Sequence, residues 1–169
     1  MAVPLSREAI ILKTIRVEKM DANNVAPFGM LISSRGMAQS EDDFTWYGEM
    51  ARMKNRTTQF NLCQMRAHTM MLECMEVHNE NREALVSLGD GVVLALAPKG
   101  TFDPQKIVAL YLPGGEGIVF EKGTYHSTPF PLSGSVKMLI AFQEGTGEND
   151  NTPVKLDEPV QLDTRFLQL

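Results

Sequence analysis

Glu76-Val-His-Asn-Glu-Asn-Arg-Glu-Ala-Leu-Val-Ser-Leu-Gly-Asp-Gly-Val-Val-Leu-Ala-Leu-Ala97 is the stretch that decides the fold. It reads as the end of one strand, an Asn-rich turn at residues 79–82, a strand from Glu83 to Leu88, a tight turn at Gly89-Asp-Gly91, and a strand from Val92 to Ala97 stopped by Pro98. Side chains two apart on a strand share a face, so Glu76 and His78 aim side by side. Glu83 joins them across the turn. His126, in the distant Gly123-Thr-Tyr-His126, closes the set from another strand. The chain has only 3 histidines, and two of them fall in this pattern. Two imidazoles and two carboxylates suit a borderline divalent cation such as Ni, Mn, Fe or Zn. The plain alternative is a core histidine bonded to a carbonyl, with both carboxylates turned to solvent by a register slip of one residue. The cost of burying a lone carboxylate weighs toward the ligand reading.

Working outward, the same punctuation recurs. Thr57 to Cys63 alternates, and Thr69 to His78 follows it. Ile107 to Leu112 is stopped by Pro113-Gly-Gly115. Gly117 to Phe120 is short, and Val136 to Phe142 follows a Pro- and Gly-containing loop. Upstream, Ala26-Pro-Phe-Gly29 turns into a strand from Met30 to Ser33, and Phe44-Thr-Trp-Tyr-Gly48 is a further short strand. Many short strands between Gly, Pro and Asn turns predict an all-β chain, an antiparallel barrel or double sheet. No βαβ alternation occurs, so a parallel sheet is not expected. Residues 5–18 are apolar enough for a helix or an entry strand, and periodicity does not decide between them. The acidic tail, residues 144–169, is expected to be an irregular or mobile arm on a single domain with its core at about 25–143.

Bulk properties narrow the function. The 169 residues carry a formal charge of −5, with 43% hydrophobic and 22% charged residues. That is an ordinary globular composition without a nucleic-acid footprint. The densest basic stretch, Arg52, Lys54 and Arg56, is short and fits a solvated face. Cys63 and Cys74 are too few for a disulfide scaffold. The 11 methionines give a soft core or a soft binding wall. No apolar run reaches about 18 residues, and the start is a poor export signal, so the cytoplasm is expected.

The spacing Glu-x-His-x4-Glu-x5-Gly, ending at Gly89, resembles the first motif of the cupin superfamily, with Glu76 where histidine is more usual. Gly117-x5-Gly123-x2-His126 resembles the second, with Glu121-Lys122 in place of the usual proline. A closer resemblance is to the ureidoglycolate lyase family of small cupins. It is carried by Pro27-Phe-Gly-Met-Leu-Ile32, by Asn61, by Met75-Glu-Val-His-Asn-Glu-Asn-Arg-Glu-Ala-Leu-Val-Ser-Leu88, and by Gly115 to Leu132, spanning roughly residues 25 to 143. This chain departs from the family at Glu83, where glutamine is common, at Tyr125 in place of tryptophan, and at Lys122, where arginine can occur.

The resemblance implies a double-stranded β-helix and the cleavage of ureidoglycolate to glyoxylate and urea. A bound cation chelates the substrate's carboxylate and hydroxyl and lowers the hydroxyl pKa. Glu76, His78, Glu83 and His126 are then the metal set, with Glu76 as ligand or base. Lys122 would pair with the substrate carboxylate or protonate the departing nitrogen. Asn61, Arg66 and Tyr125 are the candidate substrate contacts, Arg66 through a bidentate pairing. Fold does not fix function, so an isomerase or epimerase of a sugar acid and a non-catalytic ligand-binding cupin stay open. A homodimer is expected, with the apolar segment Ile10 to Ile15 crossing between copies.

Overall fold

The structure is a computed structural model and describes residues 13–167 except 36, 37, 41, 44, 49 and 55. In chain order the elements are β1 (Lys13–Lys19), α1 (Ala22–Val25), β2 (Gly29–Ile32), β3 (Gln39–Ser40), β4 (Thr45–Trp46), β5 (Thr58–Arg66), β6 (Met71–Val77), β7 (Glu83–Ser87), β8 (Val92–Ala97), β9 (Val108–Leu112), β10 (Gly117–Phe120), β11 (Tyr125–His126), β12 (Phe130–Pro131), β13 (Ser135–Gln143), α2 (Thr146–Asn149) and β14 (Thr152–Asp163). The strands of the central stretch fall where the turn residues place them.

Two sheets face each other. One runs β2-β10-β7-β13-β5 and is antiparallel throughout. The other runs β11-β6-β14-β1-β9-β8-β12 and closes on itself, because β11 pairs with β8 as well as with β6. β8 therefore has cores on both sides. Val92, Leu94 and Leu96 face a core between the sheets, with Leu85, Ile118, Phe120 and Met138. Val93, Ala95 and Ala97 face a second core inside the closed sheet, with Val17, Leu72, Met75 and Leu162. A strand buried on both faces reads as an unbroken apolar run, which Val-Val-Leu-Ala-Leu-Ala is.

One expectation is corrected. The tail is not an irregular arm: β14 is a strand of 12 residues, antiparallel to β6 and parallel to β1. Val154, Leu156, Val160 and Leu162 carry the period-2 signal of that strand, and its prolines are tolerated. Pro159 sits inside the register shift between Lys155 and Val160, where no ladder bond is lost. Neither sheet is a parallel sheet, though β1 runs parallel to β14 through Lys13–Arg16 and to β9 through Val17–Lys19. From Lys13 onward the N-terminal segment is a strand, and of the expected crossing segment Ile10 to Leu12 lie outside the described residues while Lys13 to Ile15 pair with β14. Among the described residues, no helix is long and apolar enough to cross a membrane.

Candidate metal centre

The register brings the predicted side chains to one place. His126 lies opposite Glu76 on β6 and opposite Leu96 on β8, so both ionisable side chains look toward the core between the sheets. Glu83 lies opposite Phe120, whose ring stacks on His126 with centroids 4.4 Å apart and planes 9° from parallel. His78 follows β6 directly and its ring centre is 5.3 Å from that of His126. Gly123 fixes the approach to β11: its φ of 81° is left-handed, and its N–H donates to the His78 carbonyl at 2.6 Å.

One ligand atom from each of Glu76, His78 and His126 lies within 4.8 Å of the others. Two bonds of about 2.1 Å to a shared ion span at most about 4.2 Å, so little movement closes the triad. Glu83 stands outside that mutual set but against one member of it. Its Oε2 is 2.7 Å from His78 Nε2. Nε2 nevertheless has no partner at hydrogen-bonding angles, and neither nitrogen of His126 has one. Such buried orphans cost about 1–3 kcal/mol each. A cation removes that cost, so the donors present fit a divalent ion.

The electrostatics agree. Burial works against a charged His78, but Glu83 and the Asp150 carbonyl outweigh it and push the pKa up to about 9. The pocket therefore favours positive charge beside Glu83. His126 is driven the other way by burial, so its ring is neutral and offers a lone pair. The Asp150 carbonyl accepts from His78 Nδ1 at 2.5 Å, which leaves Nε2 as the free nitrogen. Glu76 is the most open member, with its side chain 28% exposed against 7% for Glu83 and 1% for His126.

The remaining candidates divide. Asn61 faces the same core, level with Ile140, and its Nδ2 is buried without a partner. Lys122 is exposed on the turn that leads into His126. Arg66 is exposed at the far end of β5 and is not brought to the cluster. Tyr125 points into the second core, where it packs on Phe102 and donates its hydroxyl to the Gly100 carbonyl at 2.8 Å. Asp150 was missed. It sits in the tail, 72 residues from His78, and no local pattern marks it.

Likeness to known proteins bears on the family and the fold. Two ureidoglycolate lyases of Burkholderia mallei, from strains NCTC 10229 and NCTC 10247, are each 25% identical over 150 residues, covering 83% of this chain and 88% of theirs. Among solved structures, a dTDP-6-deoxy-D-glucose-3,5-epimerase of Legionella pneumophila superposes with a TM-score of 0.51 at 11% identity, over 80% of this chain and 88% of that one. A dTDP-4-dehydrorhamnose 3,5-epimerase of Elizabethkingia anophelis gives 0.52 at 10% identity, over 76% and 82%. These likenesses carry the fold alone, and it is of the cupin type. The family profile described as ureidoglycolate lyase matches residues 12–163. The chain belongs to the ureidoglycolate lyase family.

Proposed function

We propose that the cluster holds one divalent ion, of the Ni, Mn, Fe or Zn class, and that the protein cleaves ureidoglycolate to glyoxylate and urea. The carrying observation is the set of buried imidazole nitrogens without partners, converging with Glu76 in a member of this family. Glu76, His78 and His126 hold the ion, and Glu83 is the fourth ligand. Glu83 would join them because its Oε2 lies 2.7 Å from His78 Nε2, the nitrogen that would face the ion.

When bound, the ion supplies a Lewis-acid centre that lowers the pKa of the substrate hydroxyl. Glu76, the carboxylate of the cluster most open to the solvent side, would accept that proton. The carbonyl of glyoxylate forms as the C–N bond breaks, its electron pair goes to nitrogen, and a proton returns there to complete urea. No water is consumed. Asn61 Nδ2 donates to an oxygen of the substrate, which would satisfy it. Lys122 on the rim pairs with the substrate carboxylate. Arg66 and Tyr125 have no part in this reading, because each lies away from the cluster.

The test is glyoxylate release from ureidoglycolate by purified protein supplied with each ion in turn, beside a panel of sugar acids. Release above the spontaneous rate, lost on chelation and restored by the ion, is the expected outcome. Turnover of a sugar acid with none of ureidoglycolate would replace the reading with an epimerase or isomerase.

A further inference from the structure

The motifs legible in the sequence end by residue 143, yet a single residue beyond them holds the metal cluster's turn from two sides. Asp150 caps α2, its N–H donating to the Thr146 carbonyl at 2.9 Å. Its carboxylate lies over the β6–β7 turn. Oδ1 accepts from the N–H of Asn79 at 2.8 Å and of Glu80 at 3.2 Å. Oδ2 accepts from the N–H of Glu80 at 3.1 Å and of Asn81 at 2.9 Å, and from Asn81 Nδ2 at 3.1 Å. Three successive backbone donors thus converge on one anion, the arrangement of an anion-binding nest. The same residue's main-chain carbonyl takes the hydrogen of His78 Nδ1.

We infer that Asp150 is a positioning residue for the cluster, an inference that rests on the metal reading for its consequence though not for its geometry. The turn it gathers is the one that connects His78 to Glu83, so the carboxylate sets the span between two members of the site. Its carbonyl sets the tautomer of His78, with hydrogen on Nδ1 and the lone pair on Nε2 facing the cavity. Carboxylate and carbonyl belong to one residue, so the anchor in the turn is also what keeps the carbonyl in reach of the ring. The opposite end of the turn has a separate clamp. Arg82 is held by Glu121 at 2.5 and 3.1 Å and donates to the Arg52 carbonyl at 2.8 Å. That clamp touches neither imidazole, which makes it the control.

The experiment compares wild type, Asp150→Ala, Asp150→Asn and Glu121→Gln by two readouts. The first is the tautomer of His78 from nitrogen-detected NMR of the ion-free protein, recorded well above pH 9 where the ring is neutral. The second is the affinity for Mn2+ or Zn2+ alone, by titration. Expected is one tautomer with Nε2 unprotonated in wild type and in Glu121→Gln, and a mixture in Asp150→Ala. Its ion affinity falls about 10–100-fold, the usual effect of losing a group that orients a ligating histidine. Asp150→Asn keeps one acceptor oxygen, lies between, and carries the test should Asp150→Ala fail to fold. An unchanged tautomer and affinity in both folded Asp150 variants overturns the inference. A wild type that binds no divalent ion overturns the metal reading instead, and the tautomer measurement still decides the role of Asp150.

Discussion

Two cores share the wall made by β6, β8 and β11, and they treat polar atoms in opposite ways. In the closed seven-stranded sheet, Tyr125 carries its hydroxyl to a carbonyl at the rim, and the buried packing around it is apolar. Between the sheets, one residue further along the same strand, His126 is 1% exposed and both its nitrogens lack partners. Burial alone does not separate the two regions. What separates them is whether buried polar groups are satisfied inside the chain. A fold that keeps orphaned imidazoles beside two carboxylates carries a cost that a bound cation relieves. On the proposed reading the first core is the site and the second is the scaffold that holds its wall in register.

That contrast breaks most sharply at His126. Replacing it with alanine removes a ligand from a rigid wall, and ion retention and glyoxylate release should both fall by about 100-fold or more. A variant that keeps full ion binding would end the proposed assignment. The counterpart in the second core is Met75→Ala. Met75 neighbours Glu76 on β6 but faces the other way and is 1% exposed. It should lose about 2–5 kcal/mol in chemical denaturation. Folded Met75→Ala should still bind the ion, and loss of binding at equal folded fraction would show that the two regions are not separable.

Much of this was legible in the chain. Gly and Pro punctuation placed β7, β8 and β10, and strand parity put Glu76 and His78 side by side. Parity also contained what the residue-type argument passed over. Tyr125 and His126 are adjacent on a strand, so they cannot share a face. Asn61 and Arg66 are five apart on β5, so a cavity reached by one excludes the other. The tail was harder. Its alternating Val154, Leu156, Val160 and Leu162 are diluted by charges and two prolines, and β14 is specified by its partners β1 and β6 rather than by local preference. Asp150 had no signal, because a turn clasped from far along the chain leaves no spacing to read.

Asn61 gives a smaller effect and sharpens the same boundary. Asn61→Leu removes a buried donor that the chain itself does not satisfy. Stability should stay level or rise slightly, while KM for ureidoglycolate rises about 10-fold, the value of one hydrogen bond of about 1.4 kcal/mol. Arg66→Ala, on the exposed end of the same strand, should change stability by less than about 0.5 kcal/mol and leave KM alone. A KM effect at Arg66 in place of Asn61 would move the substrate to the other face of β5.

The smallest expected effect is at the rim of the scaffold, where a charge is satisfied from within. Asp163 ends β14 beside Arg16 of β1, and its carboxylate takes the Arg165 guanidinium at 2.9 and 2.8 Å and the Arg165 N–H at 3.0 Å. Those bonds to Arg165 hold its pKa down at about 2, against an ordinary 3.8. A lowered carboxylate pKa stabilises the fold above the ordinary value, and that contribution disappears as pH falls from 3.8 toward about 2. Arg165 is largely exposed, so solvent screens the pair and the contribution is slight. Thermal midpoints of wild type and Asp163→Asn, measured across that window, should converge as the pH drops, other carboxylates titrating alike in both. A constant gap between the two proteins would mean that the Asp163 pair contributes through packing and not through charge, and the contrast between a rim satisfied from within and a site left open would then lose its electrostatic half.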